Sequence, residues 1–153
     1  MGIALLLHAL AAVVWVGGMF FAYMALRPVA ASQLEAPQRL ALWAGVFGKF
    51  FPWVLAAIGT LLVTGFWMVL SFYGGFGAVG LYVHLMLWLG LLMMLIFMHI
   101  LFAPFKRLKL AVAAEDWAAG ANKLAQIRLL IGINLTLGVC VVAIASGGRY
   151  LLQ

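Results

Sequence analysis

Val79–Phe102 reads VGLYVHLMLWLGLLMMLIFMHILF, an apolar run that holds two histidines and no aspartate, glutamate, lysine or arginine. As a helix rising 1.5 Å per residue it is about 36 Å long, enough to cross a hydrocarbon layer of roughly 30 Å. Runs of similar character lie at about 3–26, 52–73 and 124–146. The sequence therefore predicts four membrane spans, an all-α up-down bundle forming one integral-membrane domain over 1–153. Composition points the same way: 69% of the 153 residues are hydrophobic and 8% charged, against about 25% charged in soluble domains. Too few polar side chains remain to coat a water-soluble fold. The net charge of +6 comes from basic residues dispersed between apolar runs. They form no stripe that could track phosphates, so nucleic acid is not an expected partner. The single cysteine, Cys140, excludes an intrachain disulfide framework and a thiolate metal cage.

The first run lacks a basic leader and ends at Arg27-Pro28 without a small-residue cleavage pattern, so it is expected to remain a helix. Pro52 is expected in the first turn of the second span. Gly74-Gly75-Phe76-Gly77 reads as a turn that makes spans two and three antiparallel neighbours. Arg27, Arg39 and Lys49 fall in the first connection, and Lys106, Arg107, Lys109, Lys123 and Arg128 in or beside the third. Only Arg149 falls on the other side. Because lysine and arginine are retained in the cytoplasm, both termini are expected outside, periplasmic in a Gram-negative host. Leu40, Trp43, Phe47 and Phe50 recur at helical spacing and predict an interfacial stripe on the first connection. Glu115 and Asp116 suit the start of the last helix.

All three histidines, His8, His84 and His99, fall inside predicted spans. Ionisable groups are costly there and are functional candidates for that reason. His8 and His84 each lie about five residues from the outer end of their spans, roughly 7–8 Å deep. In an up-down bundle spans one and three are diagonal, about 11–14 Å apart. Two imidazoles reaching inward could hold the iron of a flat macrocycle across that gap, as in an axially bis-histidine haem. Ala11, Ala12, Trp15 and Met19 follow His8 on its own face, leaving room for a ring with Trp15 beside it. Arg149 could neutralise a propionate, or serve as an interfacial anchor. Hydrogen-bonded packing is the simpler role for either histidine. His99, about 22 Å below His84 along the helix, suits snorkelling to the interface.

Met86, Met93, Met94 and Met98 share the third span with the histidines. Thioethers and imidazoles together suit Cu(I), so a copper site from His8, His84, Met86 and His99 is the alternative. Methionine also commonly fills gaps in apolar packing. Thr60, Thr64, Asn134 and Thr136 lie at mid-membrane depth and suit interhelical hydrogen bonds. Lys106, Arg107 and Lys109 suit an orientation signal and contact with anionic lipid.

Leu7–Phe21, LHALAAVVWVGGMFF, resembles the opening helix of the copper-resistance D (CopD) family of bacterial inner-membrane proteins. The likeness rests on His8, the tryptophan seven residues later and the glycine pair after it. The same stretch resembles the related HemJ family, four-helix membrane proteins associated with haem and with oxidation of protoporphyrinogen. The third span, YVHLMLWLGLLMMLIFMHILFAPFKRL from Tyr82, is similar to the HemJ third helix in its two histidines and basic exit. The resemblance implies a multi-pass protein of the bacterial inner membrane with His8 and His84 as haem or metal ligands.

Three functions follow as expectations. The first is a haem b protein with His8 and His84 as axial ligands, Trp15 at the ring and Arg149 near the propionates. Filled axial positions suit electron transfer, with a quinone, a porphyrin or another redox protein as partner, and leave a membrane oxidoreductase open. The second is a copper binder or transporter of the CopD type. The third is a cofactor-free bundle packed against a partner. Oligomeric state, including a homo-oligomer, is left open.

Overall fold

The computed structural model describes residues 1–151, with the side chains at 149 and 151 outside the description. Helix α1 is Gly2–Gln33, α2 is Ala36–Ser71, α3 is Leu81–Phe102, α4 is Pro104–Ala113 and α5 is Trp117–Leu151. Four stretches are long and apolar enough to cross a membrane: α1, α2, α3 with α4, and α5. The described residues contain no strand. The chain is an all-helical, multi-pass membrane protein. The start of α1, the glycine turn and the last described turn of α5 lie at one end of the bundle, the histidine end. The two connections rich in lysine and arginine lie at the other, the basic end.

Local chemistry sets each break. Gly74 and Gly75 have φ of 77° and 99°, values that residues with a Cβ rarely adopt. Ala103 leaves the helical region just before Pro104, as residues preceding proline do. Between α4 and α5, Glu115 turns the chain with φ of 53°. Asp116 then caps α5, its Oδ1 accepting from the Ala119 N–H at 2.9 Å. Helix α1 widens into π-turns at Val13–Gly17 and Ala22–Leu26. The second of these holds Met24, whose carbonyl is the one that the Pro28 ring would crowd in a regular α-helix.

Packing follows the expected up-down order, with one weak seam between α2 and α3. Helix α1 packs on α2 and α3 packs on α5, while α4 touches α2, α3 and α5. The backbones of α2 and α3 do not approach closely despite their short connection, and large side chains bridge them at the basic end. At the basic end, α4 and the first turns of α5 cover the face of α2 that the sequence assigned to the interface. Leu40, Trp43 and Phe47 are therefore core residues, 2%, 2% and 1% exposed. Phe50 covers Gly18 of α1, where a Cβ would overlap its ring. Helix α2 begins sixteen residues before Pro52, which sits within it and not in its first turn.

The core is an aromatic stack. Phe47 lies parallel to Phe51 at 5.1 Å, and Phe51 meets Phe97 and Phe105 edge-on at 5.2 and 4.8 Å. Lipid tails are as apolar as these rings, so the stack acts through close packing and not through escape from water. Phe51→Ala is expected to cost about 3 kcal/mol in unfolding stability, the usual range for a phenylalanine cavity. Thermal unfolding in a neutral detergent checks this; parent-like stability would show that the stack does not join α2 to α3 and α4.

Candidate functional site

His8 lies on the α1 face that carries the buried residues Ala11, Trp15 and Met19, and it looks across to α2. Its Nδ1 is 2.8 Å from the Thr64 Oγ1. The Thr64 hydroxyl in turn lies 2.6 Å from the carbonyl oxygen of Thr60. Two oxygens at that distance need a proton between them, and a hydroxyl has only one. Thr64 therefore donates to Thr60 and can only accept from His8. The neutral imidazole carries its proton on Nδ1, and the Nε2 lone pair is left as a donor for a metal ion. Gly65 makes room for the ring, since a Cβ there would lie 3.3 Å from the His8 Cε1.

His84 is placed differently. It stands in the first turn of α3, with Nδ1 3.3 Å from the Gly80 carbonyl and the Phe76 ring 6.4 Å from its own. Nine residues on, Met93 is 3% exposed and packs in the core. At 3.6 residues per turn those nine residues rotate the helix by about 180°. His84 thus occupies the face opposite the core, the face on which Trp88 is 68% exposed. By that rotation His84 does not face His8 across the bundle. The cause is the tight packing of α3 on α5, where Tyr82 lies against Gly148 and Met93 against Gly138. That contact turns the other side of α3 outward.

The remaining candidates separate as well. Trp15 is buried with its ring edge-on to Phe97 at 6.2 Å, as part of the apolar packing. Met86 is two residues from His84, hence on another face. His99 is exposed in the last turn of α3. The Arg149 side chain lies outside the described residues. A cavity of about 10 Å³ between Trp15, Met19, Phe51, Phe97 and Asn134 has room for about one water and none for a macrocycle. Asn134 itself is fully buried, its Nδ2 donating to the Met93 carbonyl at 3.2 Å while Oδ1 has no partner. With His84 on the outward side of α3, the two imidazoles are not arranged as axial ligands of one haem. Among the described residues no three histidine, cysteine, aspartate or glutamate side chains converge for a metal ion.

Of the mid-membrane polar residues, Thr64 and Asn134 bond across helices as expected. Thr60 and Thr136 instead donate to the carbonyl four residues back in their own helices. The function of Thr64 as the partner of His8 was not legible in the sequence. Its signal, a polar residue facing the same end of the bundle as His8, is shared by Ser71 and Ser146.

A four-span, multi-pass membrane protein with one inward-facing imidazole is the class that fold and site define. The family described as CopD, Copper resistance protein D, matches residues 44–147, more than half of the chain. The chain belongs to that family. The match covers α3, with His84, Met86 and His99, and leaves His8 outside it. No curated protein and no solved structure matches the chain.

Histidine-selective ¹⁵N labelling checks the hydrogen-bond assignment without any metal. His8 is expected to show a protonated Nδ1 and an unprotonated Nε2, and Thr64→Val to lose that preference while Thr64→Ser keeps it. A protonated Nε2 in the parent protein would refute the assignment.

Proposed function

We propose that this protein binds copper within the membrane, with the His8 Nε2 as the principal ligand. The observation that carries the reading is the chain of hydrogen bonds from His8 through Thr64 to the Thr60 carbonyl. Such a partner on the far nitrogen orients a ligating imidazole and raises its basicity. Membership of a family named for copper resistance supports copper over other imidazole-binding metals. Cu(I) accepts imidazole and thioether donors together. Met68 lies one turn beyond Thr64 on the same face of α2 and is buried, which makes it the nearest soft partner by helical position. The copper ion is cargo in this proposal, and His84 and His99 stand outside its first site. The haem b function, with its quinone, porphyrin or redox-protein partners and the HemJ relation, would require α3 to present His84 on its other face.

Titration of the purified protein with Cu(I) against a chromophoric chelator is the test. The parent is expected to take up the metal. His8→Ala should abolish high-affinity uptake, Thr64→Val should weaken it by about tenfold, and His84→Ala should change it little. Absence of copper binding by the parent overturns the proposal. A Soret band lost in both His8→Ala and His84→Ala would replace it with the haem function.

A further inference from the structure

At the basic end, a shallow recess opens between α1, α2 and α5, lined by Ala22, Tyr23, Arg27, Trp43, Phe47, Arg128 and Ile131. Arg27 and Arg128 both border it, and the surface it exposes is apolar. Arg39, from the first turn of α2, lies close enough to Arg128 for its charge to be felt there, as does that of Arg27. All three side chains are half-buried. They come from three different helices, so no local pattern in the sequence forces them together. Arg27 and Arg39 both bear on the charge of Arg128, with the Tyr23 hydroxyl beside them.

The surroundings hold this arrangement in place. Tyr23 rests on Gly132 of α5, where a Cβ would lie 3.1 Å from its ring and hydroxyl. The Arg27 guanidinium sits over the Tyr23 ring at 4.8 Å from its centre, a cation–π contact. Arg39 reaches back to the Ala31 carbonyl at 3.5 Å. Like charges gathered in a partly desolvated recess repel one another, a cost that a bound anion removes. Planar, forked guanidinium groups match phosphate oxygens better than ammonium groups do. The level also fits: Arg27 follows the span that ends near residue 26, where the hydrocarbon layer gives way to headgroups.

We infer that Arg27, Arg39 and Arg128 form a binding site for a phosphate oxyanion of net negative charge, with Tyr23 and Trp43 as its apolar wall. The oxyanion can belong to an anionic lipid headgroup or to a free phosphate, and the site recognises the chemistry common to both. This site is independent of the copper site, lying at the opposite end of the bundle.

The test uses the full chain, purified and delipidated in a neutral detergent, with native mass spectrometry of added phosphatidylglycerol and phosphatidylcholine. Phosphatidylglycerol should be retained in preference. Arg27→Gln, Arg39→Gln and Arg128→Gln should each reduce that preference by about fivefold, the share of one basic residue near an anionic surface. A Lys106→Gln/Lys109→Gln double variant removes two charges from the same end but none from the recess, and should retain the preference. Should Arg128→Gln not fold, the Arg27 and Arg39 variants decide the matter. Displacement of the lipid by millimolar inorganic phosphate would identify the oxyanion alone as sufficient, and its failure would assign the site to the lipid headgroup. Equal losses in the arginine and lysine variants, or no preference for either anion in the parent, would overturn the inference.

Discussion

A hydroxyl group has one proton to give, and in this protein the proton of Thr64 goes to the carbonyl of Thr60. The tautomer of a neutral His8 follows from that commitment: which nitrogen is protonated and which is bare. In water the constraint would be weak, because solvent could supply the missing partner. Inside a membrane span it is strict, since unsatisfied polar groups have nowhere else to turn. Asn134 obeys the same rule only halfway, with its amide donating to the Met93 carbonyl and its Oδ1 unpaired beside a water-sized cavity. A water there would complete it.

The four spans were legible because length and apolar composition suffice to define a membrane helix. Their turns were legible too, from the glycine pair at 74–75 and from Asp116 ahead of α5. What the sequence could not convey was how far the helices continue beyond the hydrocarbon layer. Leu40, Trp43 and Phe47 have the spacing of an interfacial stripe, but the same spacing serves a helix face covered by protein. Only the presence of α4 against α2 decides between the two. Helical periodicity is blind to what lies across from a face.

The candidate site was half legible. His8 was found because an imidazole in a span is expensive and therefore conspicuous. His84 satisfied the same criterion, and its depth resembled that of His8, yet depth says nothing of rotation about the helix axis. The rotation of α3 is set by Tyr82 against Gly148 and Met93 against Gly138, contacts between residues more than forty positions apart. The arginine recess was hidden for a related reason. Arg27, Arg39 and Arg128 each read as an orientation signal alone, and their convergence appears only when three helices are assembled.

The aromatic stack occupies the basic half of the bundle, while at the histidine half α3 contributes no fully buried residue before Met93. The α1–α2 pair and the α3–α5 pair are consequently riveted to each other at one end and more lightly latched at the other, like a pair of tongs. Local opening costs least where few apolar contacts must be broken. Small partings of the rods beside the His8 ring can therefore take place without disturbing the rivet.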